Sequence, residues 1–353
     1  MTTLSNDAQL EPPLLEVLDL VTYYPVRRSF IDSLQRRPRQ WAHAVDGISF
    51  DLYGGRMLAL VGESGCGKTT TAQSLLRMVE PTSGTIRLEG RDITHLRQRE
   101  LRPLRRTMQM VYQDPYESLD PRFRGRQTVE EPMLVHGIGS GRAERRALVD
   151  ELLERVGLTP PHLYADRYPH EMSGGQRQRL AIAASLVLNP RLLVTDEPVS
   201  MLDVSVRAGV LELLDSLRRE FTMGVLMITH DLSTASHFAD DIAVMYLGRI
   251  VERGPAKEVV RHPRHPYTRA LLSVVPARDP RRRTTPHILQ GEAPDPVAVP
   301  TGCRFASRCP FVIDACREHD PVLDPVSGAA GHEVACIRAD EIESAALPEV
   351  VGK

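Results

Sequence analysis

Gly62-Glu63-Ser64-Gly65-Cys66-Gly67-Lys68-Thr69 decides the fold of this chain. The stretch fits the spacing G-x-x-x-x-G-K-[ST] and follows the apolar run Met57-Leu58-Ala59-Leu60-Val61, which reads as a buried strand. Thr70 to Met78 follows and reads as a helix, so the strand, loop and helix stand in the order the motif requires. The glycines let the backbone curl close to a phosphate, and Glu63, Ser64, Cys66 and Thr70 lie along the same curl. Lys68 brings a point charge to the β- and γ-phosphates, and the Thr69 hydroxyl becomes a ligand of Mg²⁺. Lysine occurs only at 68, 257 and 353 in a chain otherwise rich in arginine, so its presence in this slot carries weight. A glycine-rich turn that merely opens a helix is the competing reading.

Outward from the loop, length and composition set limits. A chain of 353 residues can bury a large core and carry more than one module. Its net charge of −2 gives no global attraction to nucleic acid. The start, Met1-Thr2-Thr3-Leu4-Ser5-Asn6-Asp7, lacks the basic and apolar regions of a signal peptide, and no apolar run reaches the ~18 residues that span a bilayer. The expectation is a soluble, cytoplasmic chain that serves a membrane only by docking on another protein.

A second chemical pair ends the run Arg191-Leu192-Leu193-Val194-Thr195-Asp196-Glu197-Pro198. A buried parallel strand ending in two acids places Asp196 beside the Mg²⁺, which it holds through the water shell. Glu197, one residue on, can polarise the attacking water as a general base. Between loop and acids lies Met172-Ser173-Gly174-Gly175-Gln176-Arg177-Gln178-Arg179, whose serine and two glycines open a helix running through Leu180 to Leu188. Such a helix start presents backbone N–H groups and a dipole to an anion, although a small-residue N-cap alone has the same look.

With Ser173-Gly174-Gly175-Gln176 in place, the sequence resembles the ATP-binding cassette (ABC) proteins, with Met172 where leucine is usual. The resemblance implies an α/β fold: a P-loop NTPase with a RecA-like core, an antiparallel β subdomain and a helical subdomain over about 114–172. It also implies that Ser173 to Gln176 contact the γ-phosphate of ATP held by another cassette. Gln113, in Val111-Tyr112-Gln113-Asp114-Pro115, resembles the residue that senses the metal and the γ-phosphate. Asp203, in Ser200-Met201-Leu202-Asp203, matches the aspartate at the dimer seam, with Met201 in place of alanine. His230, in Met227-Ile228-Thr229-His230-Asp231, matches the switch histidine. Tyr23 and Tyr24 both offer an aromatic platform for adenine, and alignment on the strand Leu15 to Leu20 favours Tyr23. Arg27 to Trp41, ahead of the strand Ala44 to Leu52, reads as an exposed hairpin loop whose arginines face solvent. In the helical subdomain, Thr128 to His136 and Arg142 to Val156 carry apolar residues at helical spacing, among them Ala147, Leu148, Leu152, Leu153 and Val156. Glu144, Arg145 and Arg146 are expected to face solvent.

The chain changes character after the cassette. His265 to Leu272 reads as a short helix, and Val275 to Pro300 is a Pro- and Arg-rich connector. Gly302-Cys303-Arg304-Phe305, Arg308-Cys309-Pro310, Cys316 and Cys336 then resemble the C-terminal extension of ATPase subunits from oligopeptide and dipeptide importers. Asp196-Glu197-Pro198-Val199-Ser200 and Tyr246-Leu247-Gly248 are similar to the F-type subunit of oligopeptide permeases. The expected division is a disordered tail at 1–13, a cassette at 14–262, a Cys-containing extension at 263–340 and a second tail at 341–353. Five, six and nineteen residues separate the four cysteines, a spacing without a C-x₂-C pair. Two disulfides do not suit a reducing compartment. A [4Fe-4S] cluster, implied by relatives of this tail, structural zinc and reduced buried thiols are the three readings.

The resemblance implies ATP and Mg²⁺ as ligands. It further implies as partners a second, paralogous ATPase subunit in a heterodimer, two integral-membrane permease subunits and, through them, an extracytoplasmic solute-binding protein. Placement follows as peripheral, on the cytoplasmic face of the plasma or inner membrane, with no nucleic acid bound. An importer of nickel or another solute is the alternative within the class. A soluble ABC ATPase acting on DNA or ribosomes is disfavoured, because the chain has neither a second cassette nor a long coiled-coil insertion.

Overall fold

A computed structural model describes residues 12–26, 38–274, 291 and 294–342. Most of the Arg27 to Trp41 insertion, most of the connector and nearly all of both tails lie outside the described residues.

The run Met57–Val61 is buried at every position and forms strand β3 of an eight-stranded sheet. A strand buried on both faces carries no polar alternation, which is why this one reads as a continuous apolar run. The sheet order is β11-β12-β10-β9-β3-β8-β7-β6, with β6 Met108–Val111, β7 Leu192–Asp196, β8 Gly224–Thr229, β9 Asp241–Tyr246, β10 Arg249–Pro255, β11 Asp324–Pro325 and β12 Glu333–Val334. From β9 to β6 all neighbours run parallel. Their carboxyl ends therefore share one edge of the sheet, where ligands of such sheets bind.

The two faces of β3 meet different partners, as a period of two requires. Leu58 and Leu60 share a core with Leu15, Val17, Ile48 and Phe50 of a four-stranded antiparallel sheet, in order β2-β1-β4-β5. That sheet comprises β1 Leu15–Pro25, β2 Trp41–Leu52, β4 Ser83–Leu88 and β5 Arg91–Asp92. Met57, Ala59 and Val61 share the other core with Leu180 and Ile182 of the helix Gly174–Leu186 and with Val210 and Leu214 of the helix Val204–Phe221.

The helices Gly125–His136 and Arg142–Arg155 occupy the segment expected to be helical. Val129, Met133, Val149 and Leu153 form their buried stripe. Two expectations are corrected here. Ala147 is exposed, and Val149 is buried instead. Arg145 turns inward to a 2.8 Å ion pair with Glu130 at 19% and 17% side-chain exposure, because the neighbouring helix offers a carboxylate beside its guanidinium.

The C-terminal extension is not appended loosely. Its β12 pairs with β10, Val334 opposite Glu252, and so prolongs the core sheet. Tyr267, from the helix Pro266–Ser273, and Phe305 pack against Tyr246 at the end of β9, with ring centroids 4.7 Å and 5.2 Å from it. Glu252 is fully buried and accepts hydrogen bonds from the backbone N–H groups of Arg264 and His265 and from His332 Nε2. A buried carboxylate with three donors is a satisfied one. The two-residue strands β11 and β12 have no periodic signal and are invisible in the sequence.

Candidate nucleotide site

Parallel pairing brings the site together. Gly62 follows β3, Glu197 follows β7, His230 follows β8 and Gln113 lies two residues past β6, all at the same sheet edge. Glu197, His230, Gln113 and the loop from Ser64 onward bound a cleft of about 510 Å³ lined by Ala42, Ala44, Ser64, Gly65, Gly67, Lys68, Thr69, Thr70, Gln113, Glu197, His230 and Pro296.

The loop is wound tightly. Gly67 has φ of 109°, and a Cβ there would lie 2.0 Å from the Ala44 carbonyl oxygen, so only glycine fits. A Cβ on Gly62 would lie 2.2 Å from the Met245 carbonyl oxygen. Lys68 Nζ donates to the carbonyls of Gly62 and Glu63, each at 2.8 Å, which folds the loop around its own lysine. Cys66 is buried with Sγ 3.8 Å from that Nζ; burial raises its pKa despite the lysine, so the thiol is a filler.

Thr69 and Lys68 lie near the Asp196 carboxyl. Burial pushes the Asp196 pKa up, against the pull of the Thr69 hydroxyl and of Lys68. A divalent cation at Thr69 and Asp196 reverses the shift, so the two donors fit Mg²⁺. Glu197 stands between two groups, with Gln113 Nε2 donating to one oxygen at 3.2 Å and His230 Nδ1 3.2 Å from the other. Its φ of 44° is rare for a residue with a Cβ and turns the side chain off the end of β7 into the cleft.

The glycine-rich helix start lies elsewhere. Ser173 Oγ accepts from the Gln176 N–H at 3.3 Å, while Gln176 Oε1 accepts from the Ser173 N–H at 3.0 Å, a reciprocal capping box. Ser173, Gly174, Gly175 and Gln176 are absent from the lining of the cleft, as is Asp203, which is exposed ahead of the helix Val204–Phe221. Met201 is exposed beside it.

Tyr23 lies outside the cleft lining. Its hydroxyl donates to Asp46, and its ring lies 4.0 Å from the His43 ring. The Asp46 carboxyl, despite its burial, is held down to about 2 by hydrogen bonds from Tyr23, Arg304 and His43. Tyr24 also lies outside the lining, but it pairs with Ala42, which does line the cleft, whereas Tyr23 pairs with His43, which does not. A one-residue offset reverses the face of a strand residue, and alignment on the start of a bulged strand cannot fix it.

Cys303, Cys309, Cys316 and Cys336 line one apolar cavity of about 20 Å³, with His265 and His319. Burial raises the thiols of Cys303, Cys309 and Cys336, the last two to about 12 and about 11. Among the described residues no three His, Cys, Asp or Glu side chains are arranged to hold a metal ion. The donor set suits an iron–sulfur cluster, but the space takes little more than one water, so the [4Fe-4S] expectation does not fit the cavity as folded. Sequence reasoning missed Ala42, Ala44 and Pro296 in the cleft wall, since none carries a chemical signal.

A phosphate loop after a strand, an acid pair on a parallel strand and a second glycine-rich helix start outside the cleft define an ABC-type ATPase. A family model described as ABC transporter matches residues 45–200, and one described as oligopeptide/dipeptide transporter, C-terminal region, matches residues 251–316. The oligopeptide transport ATP-binding protein AppF of Bacillus subtilis is 45% identical over 92% of this chain and 96% of its own. The di/tripeptide transport ATP-binding protein DppF of Pseudomonas aeruginosa is 44% identical over 93% of this chain and 98% of its own. Among solved structures, cbiO1 of Clostridium perfringens, part of the ABC transporter complex cbiONQ, matches with a TM-score of 0.61 and 28% identity over 71% of this chain and 92% of that one. The ATP-binding cassette MJ0796, in a dimeric post-hydrolysis state with ADP and Pi, matches at 0.60 and 25% identity over 69% of this chain and 98% of that one. The chain belongs to the ABC transporter ATP-binding proteins of the oligopeptide/dipeptide family.

Proposed function

We propose that this chain hydrolyses ATP to drive an importer of oligopeptides or dipeptides, as one of two cassettes docked on two integral-membrane permease subunits. The carrying observation is the split of the site: the Gly62–Thr69 loop, Glu197 and His230 share a cleft that Ser173 to Gln176 do not line. ATP bound by the loop of one cassette then meets the capped helix start of a paralogous partner, so two nucleotides bridge and close the pair. Asp203 and the exposed Met201 lie at that seam.

Within the cleft, Lys68 leaves its two carbonyl acceptors for the β- and γ-phosphates. Thr69 and Asp196 would hold Mg²⁺, which would neutralise phosphate charge, and Gln113 would sense it. Glu197 takes the proton of the attacking water, oriented by Gln113 and His230 on its two oxygens. Tyr24 is the adenine platform. Tyr112 and Tyr116 are exposed beside Gln113 and support a permease contact there. No helix among the described residues is long and apolar enough to cross a membrane, so attachment is through the permease, on its cytoplasmic face in this proposal. A solute-binding protein is reached only through the permease.

A cassette at 14–262 and an extension at 263–340 is the division this reading uses. The four thiols share one cavity, but its size does not fit a [4Fe-4S] cluster; iron and sulfide analysis after anaerobic purification tests this. Uptake assays in a deletion strain, with a panel of peptides and Ni²⁺, test the whole reading. Loss of peptide uptake on deletion, restored by this chain, is expected; loss of Ni²⁺ uptake alone would move the chain to a metal importer.

A further inference from the structure

We infer that the C-terminal extension is a working part of the nucleotide site, and that Arg308 positions the phosphate loop by holding Glu63. The inference rests on the reading of Gly62–Thr69 as the ATP site. Arg308 makes two parallel hydrogen bonds to the Glu63 carboxylate, from Nη1 at 2.6 Å and Nη2 at 3.0 Å. The guanidinium is 6% exposed, and it lies 5.9 Å from the centroid of the Tyr246 ring. A buried, bidentate arginine is a rigid fork, unlike a solvated surface pair.

Glu63 is held at three points, and each matters to Lys68. Its carboxylate is bound by Arg308, its backbone N–H donates to the Tyr267 hydroxyl at 2.8 Å, and its carbonyl accepts from Lys68 Nζ at 2.8 Å. Two of the three anchors come from beyond residue 262. The extension is thus one residue removed from the lysine that binds phosphate.

Two further contacts show the same reach. Pro296 lines the cleft, and its carbonyl accepts from the His43 N–H at 2.9 Å. Arg304 donates to the Leu247 carbonyl at 2.5 Å and to Asp46, which also accepts from the Tyr23 hydroxyl on β1. Arg304 and Arg308 each adjoin a cysteine of the thiol cavity, so one short segment carries both the thiols and the cleft contacts. Arg308 touches neither ATP nor the reacting water in this account; it acts through Glu63 as a positioning residue.

The test uses the full-length chain and MgATP. Arg308→Ala and Glu63→Gln are each expected to weaken MgATP binding about ten-fold while the turnover at saturating ATP, measured in the assembled transporter, falls less than about two-fold. Arg308→Lys keeps the charge without the fork and is expected to recover only part of the affinity. The Arg308→Ala/Glu63→Gln double variant is expected to be no weaker than Arg308→Ala alone, because with the fork gone the residue-63 side chain has no Arg308 contact left to lose. Should Arg308→Ala fold poorly, Glu63→Gln reads the same pair with the extension unaltered. Lys68→Ala separates the two levels: if it loses MgATP binding while both pair variants bind like wild type, the positioning role is overturned and the site stands. Strictly additive losses in the double variant overturn the pairing as well. Normal binding by Lys68→Ala would instead overturn the site itself.

Discussion

Two glycine-rich helix starts, Gly62–Thr69 and Ser173–Gln176, use the same physics and reach opposite states. Both aim backbone N–H groups at an anion. The first is wrapped round the buried Lys68 and braced from the extension through Glu63, with Ser64, Gly65 and Thr69 left exposed at the cleft. The second is capped only by itself, through Ser173 and Gln176, and Ser173 is exposed. A loop that must hold nucleotide alone is fixed from many sides, whereas one that meets nucleotide across a seam stays open to its partner. The difference is the one the proposed function calls for, in which half of each site lies on a partner cassette.

The comparison can be broken in graded ways. The largest effect is expected from Glu197→Gln, which keeps the Gln113 and His230 neighbours but removes the base. Turnover should fall by ~10²-fold or more with MgATP affinity retained, measured by steady-state ATPase and equilibrium binding. A near-wild-type rate would show that another group activates the water.

Gly175→Val probes the other half. A Cβ there would lie 2.6 Å from Val206 Cγ1, so the helix start must shift. ATPase of the assembled transporter is expected to drop about ten-fold or more, while the isolated chain binds MgATP within about two-fold of wild type. Equal loss in both assays would remove the distinction between the two loops.

The smallest effect concerns the brace. His265 is fully buried, and burial lowers its pKa from 6.5 to about 3. Its Nδ1 accepts from the Tyr267 N–H, which a protonated ring cannot do. The folded state therefore binds fewer protons than the unfolded one, and the stability this group contributes is complete above pH ~6.5 and lost as pH falls toward 3. At pH 5 the loss is about 2 kcal/mol. His265→Asn keeps an N-cap acceptor without the titration and should flatten the Tm profile between pH 7 and 5 by a few degrees. An unchanged profile would show that other groups set the acid limit.

Much of this was legible before any coordinates. Met57–Val61, Leu192–Asp196 and the loop between them announce themselves because a doubly buried strand must be apolar throughout and a phosphate loop must have glycine where backbone approaches backbone. The choice between Tyr23 and Tyr24 was not legible, because the face of a strand residue depends on bulges, which leave no mark in a list of residues. Arg145 misled because helical spacing tells which side a residue lies on and not whether a carboxylate such as Glu130 waits there.

The sequence by itself determined the chemistry: Lys68, Thr69, Asp196, Glu197 and His230 are recognisable from their order and from what precedes them. Only the tertiary structure decided that Tyr267 and Arg308, over two hundred residues away from Glu63, hold the loop in which Lys68 sits. The physical reason is that local patterns record what the backbone needs nearby. A contact between distant segments depends on the sheet that brings β9, β10 and β12 side by side, and no local pattern encodes it.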